Sequence, residues 1–125
     1  MSKVPIVSII DDDASVRAGM EGLVRSVGFV AYVFESAEEF LGSLWVDDTS
    51  CVITDVQMPG MNGFQLQSEL VARGRRMPVI FITAFPEQSG RDRALAAGAF
   101  AYVEKPFDGQ AMTSLLHRAL GAPTA

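Results

Sequence analysis

Apolar runs of strand length alternate with helix-period segments five times along the chain. The run Val4 to Ile10 reads as a first strand, rich in β-branched residues and ending in three aspartates. Val16, Met20, Leu23, Val24 and Val27 then recur at helical spacing, and Gly28 stops that helix. Val30 to Phe34 is a second strand. Ser36 and Glu39 form a capping box ahead of Ala37, Phe40, Leu41 and Leu44, one face of a second helix. Cys51 to Thr54 is a third strand, followed by Asp55 and a Pro/Gly/Asn-rich loop, Met58 to Gly63. Leu66 and Leu70 mark a third helix closed by Gly74, and Val79 to Ile82 is a fourth strand leading to Thr83. An Ala-rich helix from about Glu87 to Ala97 stops at Gly98, and Ala101 to Val103 is a short fifth strand before Lys105-Pro106. Asp108 caps a last helix carrying Met112, Leu115, Leu116, Ala119 and Leu120.

Strands alternating with helices imply βαβ units, hence an α/β domain whose parallel sheet is covered on both faces. The strands are apolar along their whole length, as such a sheet requires. The pattern predicts one domain over residues 1–125, with a core from 4 to 120 and a short tail, Gly121 to Ala125.

Composition agrees. With 49% hydrophobic residues in 125, the chain can build a core without a disulfide or structural metal. The single cysteine, Cys51, lies in an apolar run and reads as a small core side chain in a reducing compartment. No apolar stretch approaches the ~20 residues that span a bilayer, and the N-terminus has no secretory signal, so a soluble cytoplasmic domain is expected. A net charge of -5 argues against nucleic-acid binding by this domain. Arg73, Arg75 and Arg76, around Gly74, read as a solvated turn, and His117 as a surface histidine.

Ligands of an open parallel sheet bind beyond the carboxyl ends of its strands. Here those ends deliver Asp11, Asp12 and Asp13, then Asp55, Thr83 and Lys105 to one rim. Crowded carboxylates repel unless a cation neutralises them, and oxygen-only ligands suit Mg²⁺ or Mn²⁺. A carboxylate that attacks a phosphoryl donor needs such a metal and fixed donors for the phosphoryl oxygens. Asp55, single and set between an apolar strand and a glycine-containing loop, is the nucleophile candidate. Asp11 and Asp12 are the metal-ligand candidates, Thr83 and Lys105 the phosphoryl contacts, and Asp13 the N-cap of the first helix.

The segments Ile10-Asp11-Asp12-Asp13, Thr54 to Gly63, Ile82-Thr83-Ala84 and Glu104-Lys105-Pro106-Phe107 together resemble the signature of response-regulator receiver domains of two-component systems. The similarity covers about residues 4 to 120. Ser15-Val16-Arg17, Ser36 to Leu41 and Gly98-Ala99 resemble most the branch that often carries a helix-turn-helix output domain. The resemblance implies a flavodoxin-like (βα)5 fold of strand order 2-1-3-4-5, two helices on one face and three on the other. It implies that Asp55 is the phosphoacceptor and that Asp12, Asp55 and the backbone carbonyl of Gln57 hold Mg²⁺, Asp11 acting largely through a metal-bound water. Thr83 and Lys105 would contact the phosphoryl oxygens, and Tyr102 would change rotamer as Thr83 moves. A cis Lys105–Pro106 bond and a small Ala84 beside the phosphoryl group belong to the same pattern.

The implied partners are a sensor histidine kinase and an output partner, output domain or second copy docking on the fourth helix, fifth strand and fifth helix. Such a domain catalyses only its own phosphorylation and hydrolysis. A haloacid-dehalogenase-like phosphohydrolase is the rival: Asp11 and Asp13 mimic its Asp-x-Asp. It leaves Asp55 unexplained and needs a further acidic pair after the lysine, where only Asp108 follows. A nucleotide-binding module would need a glycine-rich first turn and a Walker lysine. A phosphate-independent receiver-like module would not need the full acceptor set.

Overall fold

Three short strands are buried almost throughout and the two edge strands in part, so none can stand alone, and each is followed by a helix. The computed structural model describes residues 4–121. In chain order they form β1 (Ile6–Ile10), α1 (Ala14–Ser26), β2 (Val30–Phe34), α2 (Ala37–Leu41), β3 (Cys51–Asp55), α3 (Gly63–Ala72), β4 (Val79–Thr83), α4 (Gln88–Ala96), β5 (Ala101–Glu104) and α5 (Gly109–Leu120). All strand pairs are parallel and the order is β2-β1-β3-β4-β5, the flavodoxin-like arrangement expected. The register sets Ile10 beside Thr54, Asp55 beside Ile82 and Thr83 beside Glu104, so the strands end near one line.

Alternate side chains of the strands feed two separate cores. On one face Val7, Ile9, Ile53, Ile80 and Ile82 pack with Met20 and Val24 of α1 and Met112 and Leu116 of α5. On the other, Ile10, Val52 and Phe81 pack with Phe40 of α2, Leu66 and Leu70 of α3 and Ala94 of α4. This is the expected division of two helices against three. Cys51 is fully buried in the α1/α5 core.

Helix boundaries follow the expected signals. Asp13 Oδ1 accepts from the Ser15 and Val16 amides at 2.8 and 3.3 Å, Ser36 Oγ from Glu39 at 3.0 Å, and Asp108 from Ala111 at 3.3 Å. The expected box at Ser36 forms only by half, since Glu39 Oε1 accepts from the Glu35 amide and not from that of Ser36, whereas Asn62 with Gln65 makes a full capping box at the start of α3. His117 is exposed, and Arg73 and Arg75 flank the Gly74 turn while pairing with Glu69 and Asp47.

Strands β3, β4 and β5 each run one residue past the apolar pattern, to Asp55, Thr83 and Glu104, and two other boundaries differ by more. Strand β1 starts at Ile6 rather than Val4, because Pro5 has no N–H to extend the ladder, although its carbonyl still accepts from Val30. Helix α2 ends at Leu41, and Leu44, expected on its apolar face, is 88% exposed. Ser43 Oγ donates to the Phe40 carbonyl at 2.7 Å and accepts from the Trp45 amide, turning the chain out of the helix. Trp45 then stacks on Tyr32 and Val46 enters the core. Of the expected tail, only Gly121 is among the described residues. No helix among them is long and apolar enough to cross a membrane.

Candidate functional site

The carboxyl ends of β1, β3, β4 and β5 converge as expected. Carboxylate oxygens of Asp11, Asp12 and Asp55 lie within 4.8 Å of one another. Asp11 is fully buried and sits behind the other two: its Oδ1 accepts from the Asp13 amide at 2.9 Å and its Oδ2 from Lys105 Nζ at 2.8 Å. Asp12 is exposed and Asp55 is 7% exposed, and both face an open recess of about 410 Å³. Asp13, Gln57, Ala84, Phe85 and Lys105 complete its wall.

Asp55 is held at both oxygens. Lys105 Nζ donates to Oδ2 at 3.1 Å, and the Gln57 amide donates to Oδ1 at 3.1 Å. Burial holds the Asp55 carboxyl above its ordinary value; the Lys105 hydrogen bond opposes this, and the Asp11 charge adds to it. Lys105 shows the converse. Burial alone would lower its proton affinity, but hydrogen bonds to Asp11 and Asp55, with their charges, raise it overall. One ammonium thus faces three carboxylates, leaving net negative charge in a partly desolvated recess. That deficit, met by oxygen donors alone, fits a hard divalent cation such as Mg²⁺.

Close contacts around the strand ends place these groups. Glycine is required at position 63, because a Cβ there would lie 2.6 Å from the Asp55 carbonyl and 3.0 Å from the Phe81 ring. Thr83 ends β4 with 1% exposure, its Oγ1 accepting from the Phe85 amide at 3.0 Å and its carbonyl from the Lys105 amide at 2.7 Å. The Lys105–Pro106 bond is cis, as the sequence pattern implied. Met58 is buried at the loop's inner side, and Met61 packs against the same core.

Tyr102 lies apart from the acid cluster. It is 6% exposed, turned inward between β5 and α4, with the Arg91 guanidinium 5.2 Å from its ring centre. A Cβ at Gly90 would lie 2.8 Å from its hydroxyl. Asp13 lines the recess, but its Oδ1 is committed to the α1 cap, which weakens the Asp-x-Asp reading of Asp11 and Asp13. Arg17 was named in the sequence only as part of a motif. Its Nη1 donates to the Asp11 carbonyl at 2.8 Å and its Nη2 lies 3.7 Å from Glu35, so it ties the ends of β1 and β2.

A family model described as the response regulator receiver domain matches residues 7–117. The chain belongs to that family. A receiver domain acts as its own phosphoacceptor rather than on a separate substrate, and an acidic cluster of this kind is its Mg²⁺ site. The crystal structure of a response regulator receiver protein from Burkholderia phymatum is similar over 96% of this chain and 98% of that one, at 44% identity and a TM-score of 0.83. Nodulation protein W of Bradyrhizobium diazoefficiens is 40% identical over 84% of this chain and 46% of that protein. The transcriptional regulatory protein FixJ of Azorhizobium caulinodans is 38% identical over 92% of this chain and 54% of that protein. The receiver thus spans about half the length of these two curated relatives.

Proposed function

We propose that this receiver takes a phosphoryl group onto Asp55 from the phosphohistidine of a sensor histidine kinase and passes the change to an output partner. The observation that carries the reading is Asp55 itself: a nearly buried carboxylate, gripped by Lys105 and Gln57, with open space in front. Asp12, Asp55 and the Gln57 carbonyl would hold Mg²⁺, with Asp11 behind them. When bound, the cation screens the charge of carboxylates and donor.

In the transfer, an Asp55 carboxylate oxygen forms the new P–O bond as the P–N bond to the kinase imidazole breaks, its electron pair returning to the ring. Lys105 pairs with the phosphoryl charge and Thr83 donates its hydroxyl to a phosphoryl oxygen, which Oγ1 can do while still accepting from the Phe85 amide. The acyl phosphate carries close to two negative charges. Tyr102 exchanges between its inward seat and an outward rotamer, and phosphorylation with Thr83 movement favours the inward one.

The surface that reports this is α4-β5-α5, where Leu95 and Phe100 are exposed. An output domain, of the helix-turn-helix kind the sequence resemblance implies, or a second copy would dock there, in a cytoplasmic signalling pathway. Being named a transcriptional regulator, the relative FixJ supports a DNA-directed output.

Intact mass after incubation with acetyl phosphate or phosphoramidate tests the assignment. A Mg²⁺-dependent gain of one phosphoryl group, labile to base and hydroxylamine and absent from Asp55→Asn, is expected. Labelling of Asp55→Asn at wild-type stoichiometry would overturn it.

A further inference from the structure

Helix α4 carries a glycine, Gly90, in its first turn, where an alanine would favour the helix. Its backbone does not ask for one: Gly28, Gly60, Gly74, Gly98 and Gly121 have positive φ, and Gly90 is not among them. Space explains it instead. A Cβ at Gly90 would lie 2.8 Å from the Tyr102 hydroxyl, 3.5 Å from the Cζ of that ring and 3.9 Å from Cζ of Phe64. The glycines inside α1 give the contrast, since a Cβ at Gly19 or Gly22 would meet nothing within 4 Å.

Tyr102 reaches this point from β5 with 6% exposure. Ala94 stands one turn beyond Gly90 on the same side of α4, is fully buried, and belongs to the same core as Tyr102. Arg91, next in the chain, holds its guanidinium 5.2 Å from the ring centre. The side of α4 turned to the core thus carries a hydrogen at 90 and a methyl at 94, and Tyr102 uses the room. A side chain at 90 and the inward ring exclude one another unless one of them shifts. The hydroxyl is the tip of a rigid ring hinged at χ1, so clearing it means turning the ring out of its seat.

We propose that Gly90 is the positioning residue for Tyr102: its bare backbone admits the hydroxyl, so the inward ring and the seated α4 coexist only while position 90 has no side chain. The role rests on the reading of Tyr102 as the residue that exchanges between inward and outward rotamers. It ties the pose of α4 to that rotamer through direct contact.

The test uses Gly90→Ala, Tyr102→Phe and the double variant beside the wild type. Two readouts are taken: amide exchange in α4, and exposure of the Tyr102 ring to a soluble paramagnetic agent. The second follows ¹³C at the tyrosine ε carbons; the chain has only two tyrosines, and Tyr32→Phe assigns them. In Gly90→Ala the Tyr102 ring should lose its shielding, and exchange in α4 should quicken about threefold as overpacking outweighs the alanine preference. In the Tyr102→Phe background the nearest ring atom is Cζ, at an ordinary 3.5 Å. There the same change should slow α4 exchange about threefold to fivefold, since only helix preference is left. That reversal of sign isolates the hydroxyl contact. A Tyr102 ring still shielded in Gly90→Ala, or the same change in exchange in both backgrounds, would overturn the proposal. The switch reading is tested apart from it, by repeating the ring measurement on the phosphoramidate-labelled wild type. A wild-type ring indifferent to labelling would sink that reading and leave the contact at Gly90 standing on the unlabelled proteins.

Discussion

Helices α4 and α5 lie on opposite faces of the same edge of the sheet and are held there by different means. Helix α5 buries Met112 and Leu116 completely and is capped by Asp108. Helix α4 buries only Ala94, and Glu87 at its N-cap makes no side-chain hydrogen bond. Side-chain contacts supply much of the rest: Arg91 over Tyr102, Arg93 4.4 Å from the Phe64 ring centre, and Gln67 donating to the Ala97 carbonyl at 3.3 Å. Full burial of a Leu or Met side chain is worth about 1.5–3 kcal/mol, whereas an exposed cation–π contact is worth about 0.5–1. The helix that follows Thr83 is therefore the one that can shift cheaply. In the function proposed above, that asymmetry would give the acid cluster a rigid back and the output surface a loosely seated front.

Four measurements test how differently α4 and α5 are held. The largest effect is expected from Leu116→Ala, which should cost about 2–5 kcal/mol in urea unfolding, against about 1 kcal/mol for Ala94→Gly. Equal costs would erase the contrast. Next comes Cys51, in the α1/α5 core, whose thiol burial pushes from an ordinary 9.0 up to about 12. Above pH 9 the unfolded chain ionises this thiol while the folded one keeps its proton, so stability falls as pH rises toward 12. The slope approaches ~1.4 kcal/mol per pH unit and should be missing in Cys51→Ala. The same burial predicts no reaction of the native thiol with a disulfide reagent until global unfolding.

Smaller is Glu87→Asp, which supplies α4 with a good N-cap and should add about 0.5–1 kcal/mol. Amide exchange should slow in α4 and not in α5; slowing in both would mean the helices open together. Smallest is Arg93→Ala, expected to cost about 0.5 kcal/mol by loss of the Phe64 contact. A cost equal to that of Leu116→Ala would show α4 to be far better anchored than its burial suggests.

Much of the fold was legible because its signals are local. The apolar runs, the caps at Asp13, Ser36 and Asp108, and the stops at Gly28, Gly74 and Gly98 each act within a few residues. The rim of the site was legible for a topological reason, since a parallel sheet gathers whatever follows its strands. The end of α2 was not, because Leu44 fits a helical face and only the side-chain turn at Ser43, with Trp45 drawn to Tyr32, shows where the helix stops. The contact from Glu38 to the Met61 amide was hidden as well, since the spacing to Ser36 marks Glu39, while the partner of Glu38 lies 23 positions away in another loop.

By itself the sequence determined the order of elements, the two-sided burial of the sheet, and which residues stand at its strand ends, because hydrophobic period and capping chemistry are properties of neighbours. Tertiary structure alone decided the rest. It put Asp11 behind and Asp12 in front, and brought Lys105 Nζ to both Asp11 and Asp55 across 94 and 50 positions of chain. It seated Tyr102 against Gly90, and it left α4 lightly held. Those outcomes depend on strand register and on which side chains meet across the sheet, and such distances are set only when the whole chain has packed.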